Sequence, residues 1–198
     1  MDRREAIKRA ATLIGGTLLM PDVLKAWTHP SIENPYFRLT PLQDELIAEV
    51  SDVIIPTTTT PGAKAAGVPQ FIKKMLADCY RPQYSEYFLK ELNQLNTDTQ
   101  TKYSKGFLQA SVEERTDMLK TYEQKAKADR QRFRQEAQSW GQSTLPSEKP
   151  FFDVMKDLTV TGYFTSEIGC TQALRYEPVP GRYEMIEYKK GDKAWATG

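Results

Sequence analysis

The segment Pro56–Gly67 reads PTTTTPGAKAAG and places four threonines, Gly62 and Lys64 ahead of a helical pattern. Free backbone N–H groups and a lysine near a helix start can hold a phosphate or another anion. The same residues can instead build a rigid corner. Pro61-Gly62 is a strong turn pair, and threonine hydroxyls can satisfy backbone groups. The corner is the simpler reading. A second group is Glu167 and Arg175, eight residues apart. That is about two helical turns, so both would share one face of a continuous helix. Glu167 has no evident second catalytic group, which argues against general acid–base work.

Other chemistry is narrowed by residue type. His29 is the sole histidine, so the chain alone can build neither a Ser-His-Asp triad nor a histidine-rich metal site. Cys79 and Cys170 lie far apart with no CxxC spacing, against a zinc site or c-type haem attachment. Apolar thiols are their ordinary state, and a mutual disulfide stays open in an oxidising compartment. No GxGxxG, P-loop or HExxH motif occurs, and no cofactor or metal site is read in this chain. With 27 basic and 26 acidic residues the net charge is +1, which disfavours nucleic acid as a partner. The apolar fraction is a low 39% and the aromatic fraction a high 11%, with ten tyrosines. Tyr and Trp bury large area yet keep a polar end, which suits a surface made to meet another protein.

The elements that would position these groups are mostly helical. Thr40 opens a helix, with Pro41 at its first position and Gln43 completing a capping box. Leu42, Leu46, Ile47, Val50, Val53 and Ile54 follow at helical spacing until Pro56. Val68, Phe71, Ile72, Met75, Leu76 and Cys79 form a second stripe, and Tyr84, Phe88, Leu92 and Leu95 a third. Such stripes pack cores. Ser111 and Glu114 make another capping box, opening a charged helix toward Trp140 with a thin stripe of Leu119, Tyr122, Ala126 and Phe133. Its Arg130, Arg132 and Arg134, interleaved with Asp129 and Glu136, read as a solvated face. Phe151, Phe152, Met155 and Leu158 form the next helical stripe. A further helix is expected from about Thr165 to Arg175, after which Pro178 and Pro180 forbid regular structure. EMIEYKKGDKAW could close a short hairpin around Gly191 and Asp192.

The chain opens MDRREAIKRAATLIGGTLLMP. Arg3 and Arg4, a basic cluster, a short apolar run and Pro21 follow the order of a bacterial twin-arginine export signal. The apolar run falls short of the roughly 20 residues of a membrane span. Asp2 and Ala6 depart from the usual signal pattern, and no clear cleavage site follows, so the segment is either removed or kept as an anchor. The resulting division is a signal or anchor over 1–27, a linker over 28–39, a helical domain over 40–175 and a C-terminal arm over 176–198. The fold class expected is mostly α: a single irregular helical domain with an extended aromatic C-terminal arm.

Two long stretches carry a resemblance. DVIIPTTTTPGAKAAGVPQFIKKMLADCY and FFDVMKDLTVTGYFTSEIGCTQALRYEPVPGRY resemble the two hallmark segments of the gluconate 2-dehydrogenase subunit 3 family. The signal-like start and the terminal KAW also fit. The resemblance implies a small, non-catalytic subunit of a membrane-associated, flavin-dependent dehydrogenase. Its large subunit would be a flavoprotein of the glucose-methanol-choline type, carrying FAD and oxidising a sugar, sugar acid or glycoside. A cytochrome c subunit with haem c often passes the electrons on. The small subunit would supply the export signal that the large one lacks, engage the twin-arginine machinery, and support folding and flavin loading. The complex would then reside in the periplasm or at the periplasmic face of the inner membrane. One position departs from the family: Thr59 stands where an acidic residue is common, which leaves the corner a cap or turn role rather than a charged one.

On this resemblance the partner-binding candidates are Tyr163, Phe164, Glu167, Arg175, Tyr176, Pro178, Pro180, Arg182 and Tyr183. Tyr and Arg anchors are over-represented in interfaces, and a Pro-interrupted aromatic arm can lie along a partner. Two rival readings are a stand-alone envelope sugar-binding module built on the threonine segment and nearby aromatics, and, more weakly, an enzyme in its own right.

Overall fold

The computed structural model describes residues 37–139, 149–179, 181, 185, 187 and 189–197. The proposed signal with Arg3 and Arg4, and the arm residues Pro180, Arg182 and Tyr183, lie outside the described residues. From Arg38 onward the described chain is mostly helical, as its periodicity requires, and forms one unit.

Helix α1 (Pro41–Ile54) starts on the expected capping box. Thr40 Oγ1 accepts from the Gln43 N–H at 3.2 Å, and Gln43 Oε1 accepts from the Thr40 N–H at 2.9 Å. The Gln43 amide also donates to Asn93 Oδ1, so its polar group stays satisfied while the residue is buried. Leu46, Ile47 and Val50 enter the core, whereas Leu42 stays 46% exposed at the first turn. Pro56 follows the last turn, and the residue before a proline is pushed out of the helical region.

Helix α2 (Val68–Asp78) begins after Gly67, whose φ of 75° is a left-handed conformation that glycine adopts without strain. Val68, Ile72 and Leu76 are buried. Helix α3 (Pro82–Tyr103) has Pro82 in its first turn and buries Tyr84, Phe88, Leu92, Leu95 and Thr99 along one stripe. Ser85 Oγ on α3 donates to the Leu76 carbonyl of α2 at 2.7 Å, relieving that carbonyl near the helix end. A short 3-10 turn (Phe107–Gln109) leads to α4 (Val112–Ser139). Ser111 and Glu114 form the second capping box. Met118, Leu119, Tyr122 and Ala126 of α4 are buried.

Helix α5 (Phe151–Phe164) packs against α1, α2, α3 and α4. Its wide apolar face follows from that placement: Phe151, Phe152, Val154, Met155, Leu158 and Tyr163 are all buried. The Phe151 ring lies 4.8 Å from Phe88 and 6.0 Å from Tyr122, centroid to centroid. Gly162 lets α5 approach α2 closely, since a Cβ there would stand 2.6 Å from the Phe71 ring.

Beyond α5 the structure departs from the periodic pattern. The expected helix to Arg175 is instead a π-helical turn over Gly169–Ala173, closed by Leu174 N–H donating to the Gly169 carbonyl at 3.0 Å. Strand β1 (Arg175–Glu177) follows and stops before Pro178. A turn does form near Gly191, with Asp192 N–H donating to the Lys189 carbonyl. The first limb of the expected hairpin lies partly outside the described residues. Strand β2 (Trp195–Thr197) pairs in parallel with β1, Arg175 opposite Trp195, so its partner lies 20 residues upstream.

Candidate partner-binding site

The threonine corner is closed by its own groups. The Gly62 N–H donates to Thr57 Oγ1 at 3.0 Å, the Ala63 N–H to the Ile55 carbonyl at 2.9 Å, and the Thr58 N–H to the Thr60 carbonyl at 3.0 Å. These donors are spent inside the corner, which leaves them unable to cradle an anion. Lys64 is likewise engaged: its Nζ donates to Glu49 Oε1 at 2.5 Å, and Arg115 Nη1 donates to Glu49 Oε2 at 2.6 Å. The Lys64 hydrogen bond, aided by Arg115 and opposed by burial, holds the Glu49 carboxyl below its ordinary value. The same bond raises the Lys64 ammonium. The corner is thus tied to α1 and α4 by charge-assisted bonds.

The two hallmark stretches meet at this corner. Tyr163 is buried, and its hydroxyl donates to the Pro61 carbonyl at 2.8 Å with Thr60 Oγ1 at 3.3 Å. Its neighbour Phe164 is 40% exposed, and its ring meets the Tyr163 ring edge-on with centroids 5.2 Å apart. Val160, one turn back on the same face of α5, is also exposed. Beyond the π turn, Tyr176, Val179 and Trp195 expose large apolar surface, as does Met185. The Arg175 guanidinium lies over the Trp195 ring, 4.0 Å from its centroid, a cation–π contact. Glu167 and Pro178 are exposed as well.

The sequence-predicted candidates therefore separate. Phe164, Glu167, Arg175, Tyr176 and Pro178 face solvent, while Tyr163 faces the domain interior. The shared helical face expected for Glu167 and Arg175 does not exist, because the helix ends at Ala173 and Arg175 lies in a strand. Val160 and Trp195 belong with the exposed set but were not singled out. The spacing of Val160 and Phe164, one helical turn apart, was the available signal for the first. Trp195 required the strand pairing. Cys79 and Cys170 stand as free thiols, and Cys170 Sγ donates to the Phe164 carbonyl at 3.1 Å.

Elsewhere on the described surface, Arg130 of α4 grips Asp153 of α5 through two bonds of 2.8 and 2.9 Å, and Arg132 lies 3.5 Å from Asp129; the side chains of Arg134 and Glu136 lie outside the described residues. A shallow cleft with about 10 Å³ of free volume opens beside Tyr87, Glu91, Tyr122, Lys125 and Phe152. Burial, with the hydrogen bond to Asp98 second, pushes the Tyr122 phenol up, so it stays a neutral donor. Among the described residues no cluster of His, Cys, Asp and Glu could hold a metal, and no helix is long and apolar enough to cross a membrane.

Comparison with known proteins agrees with the two hallmark stretches. The family described as gluconate 2-dehydrogenase subunit 3 matches residues 41–181, well over half of the chain. That span contains α1 to α5, the threonine corner, the π turn and β1. No curated protein and no solved structure matches the chain. The chain belongs to the gluconate 2-dehydrogenase subunit 3 family.

Proposed function

We propose that this chain is the small, non-catalytic subunit of a flavin-dependent dehydrogenase complex. It binds a glucose-methanol-choline type flavoprotein, supports its maturation and carries it across the membrane on the twin-arginine signal of Arg3 and Arg4. The FAD belongs to the flavoprotein, which acts on a sugar, sugar acid or glycoside; a cytochrome c subunit with haem c takes the electrons. The complex works in the periplasm or at the periplasmic face of the inner membrane. The observation that supports docking is the exposed set of Phe164, Tyr176 and Trp195 at the end of α5, in a chain whose family is that of a dehydrogenase subunit. Exposed aromatic groups with an adjacent Arg have the composition of interface anchors.

The rival sugar-binding module has less support. The donors of the threonine corner are occupied internally. The cleft beside Tyr122, with about 10 Å³ of free volume, has room for little more than a water, far short of the roughly 300–1,000 Å³ of ligand pockets. The proposal is tested by expressing the chain with its flavoprotein partner and fractionating the cells. Arg3→Lys together with Arg4→Lys should leave dehydrogenase activity in the cytoplasm. Periplasmic activity persisting in the double variant would sink the carrier role.

A further inference from the structure

A continuous line of hydrogen bonds runs from the threonine corner to the exposed arm. It starts at the Pro61 carbonyl, which accepts from the Tyr163 hydroxyl at 2.8 Å across 102 residues of sequence. The Tyr163 carbonyl in turn accepts from Ser166 Oγ at 2.7 Å, and Ser166 Oγ accepts from the Gly169 N–H at 3.0 Å. Gly169 is pressed so close to the Tyr163 carbonyl that a Cβ there would overlap it. Its own carbonyl accepts from the Leu174 N–H, which closes the π turn. The turn then feeds β1, where the Arg175 N–H donates to the Ala194 carbonyl at 2.9 Å and the Lys193 ammonium reaches the Gln172 carbonyl.

This arrangement addresses a problem of stability. A parallel pair of three-residue strands is marginal on its own in water. Among the described residues the strand pair buries little apolar surface, since Arg175, Tyr176 and Trp195 all face solvent. Its order must come from what it is attached to, and the attachment with a buried end is Tyr163.

We propose that the threonine corner sets the order and direction of the arm through Tyr163, so that corner, π turn and strand pair act as one coupled device presenting Phe164, Arg175 and Trp195. Tyr163 is then a positioning residue that touches no partner itself. The rigidity of the corner, tied by Lys64 and Arg115 to Glu49, is what gives the Tyr163 hydroxyl a fixed anchor. The presentation of the arm to a partner rests on the docking function proposed above; the coupling of corner to arm does not.

The test is hydrogen–deuterium exchange on the full chain. Tyr163→Phe keeps the ring and deletes only the hydroxyl bond. Ser166→Ala removes the hydroxyl that bridges the Tyr163 carbonyl and the Gly169 N–H, keeps the backbone bond from the Ser166 N–H to that carbonyl, and leaves the corner intact. Both variants should exchange about five- to tenfold faster over residues 167–177, with α1 and α3 unchanged. Unchanged exchange over 167–177 in both variants, or faster exchange spread equally over all helices, would overturn the coupling. Retention of the flavoprotein on the tagged chain is measured in parallel. Faster exchange of the arm with full retention would leave the coupling standing and count against Phe164, Arg175 and Trp195 as the docking surface instead.

Discussion

The Arg115 guanidinium on α4 donates to the Glu49 carboxylate on α1 at 2.6 Å, across 66 residues of sequence. The other oxygen of the same carboxylate takes the Lys64 ammonium from the threonine corner. Glu49 and Arg115 are only 20% and 16% exposed at their side chains, so this pair works at lower dielectric than a surface ion pair. A second Arg115 bond goes to the Leu108 carbonyl, and the guanidinium lies 5.7 Å from the Phe107 ring. One carboxylate thereby joins α1, the corner and the start of α4.

Glu49→Gln should therefore destabilise the domain by about 1–3 kcal/mol, because it leaves a half-enclosed arginine without its counter-charge. Thermal unfolding should show Tm lower by about 3–8 °C. The pH dependence has a definite sign. The folded Glu49 carboxyl titrates below its ordinary value of 4.5, so its stabilising share is present above that value and is lost as pH falls through the lower folded one. The Tm of the native chain should drop more steeply on acidification below 4.5 than that of Glu49→Gln. Parallel curves would contradict this assignment.

Gly62→Ala and Gly67→Ala should differ in severity. At Gly62 a Cβ would stand 2.6 Å from the Thr57 nitrogen and 2.8 Å from the Ile55 oxygen, and neither backbone atom can swing aside. The expected cost is about 2–4 kcal/mol, near the upper end for overpacking. At Gly67 a Cβ would meet only the Gln70 side chain at an ordinary 3.9 Å, and the φ of 75° is the sole strain, so Ala there should cost about 1 kcal/mol. Urea unfolding of the two variants compares them directly, and equal midpoints would contradict the closed-corner geometry.

Phe151→Ala should be the most damaging aromatic truncation of α5. The ring is buried against Phe88 and Tyr122, at centroid distances of 4.8 and 6.0 Å. Removing it takes away the transfer term and leaves a cavity, together about 3–5 kcal/mol. That is a large share of the roughly 5–15 kcal/mol that holds a domain folded. Phe151→Leu, which refills most of the volume, should recover more than half of the loss in the same unfolding assay.

Phe164→Ala should show the opposite pattern. Its ring is 40% exposed, so the folded chain alone should change by less than about 0.5 kcal/mol. If Phe164 anchors the flavoprotein, truncation should weaken the complex by about tenfold or more. Unfolding of the isolated subunit and copurification of the complex separate the two effects. Full copurification with Phe164→Ala would remove this residue from the interface.

Much of the fold was legible from residue types and spacing. Both capping boxes, Thr40 with Gln43 and Ser111 with Glu114, form as written, because a cap is a contact between residues three apart. The stripes of α3 and α5 are buried in the core, as are Val68, Ile72 and Leu76 of the α2 stripe while Phe71, Met75 and Cys79 are half-buried, since period and burial are linked on any helix packed on one side. The corner reading of the threonines also holds, and for a local reason: Thr57, Gly62, Ile55 and Ala63 satisfy one another within a few residues.

The candidate site was legible only in part, because its geometry is made at long range. Tyr163 and Phe164 are adjacent and both aromatic, and nothing in their types says which faces inward. The Pro61 carbonyl, 102 residues away, gives the Tyr163 hydroxyl a buried partner, and Phe164 is turned out by default. The spacing of Glu167 and Arg175 presumed a continuous helix, but the π turn reset it. The three-residue parallel pairing of Arg175–Glu177 with Trp195–Thr197 is too short to leave a period-two signature. By itself the sequence determined the helices, their caps, the corner and the family, all carried by contacts a few residues apart or by the order of residues. Which aromatic groups pack and which face solvent was decided by tertiary structure, because burial depends on neighbours that the chain brings together only when it folds.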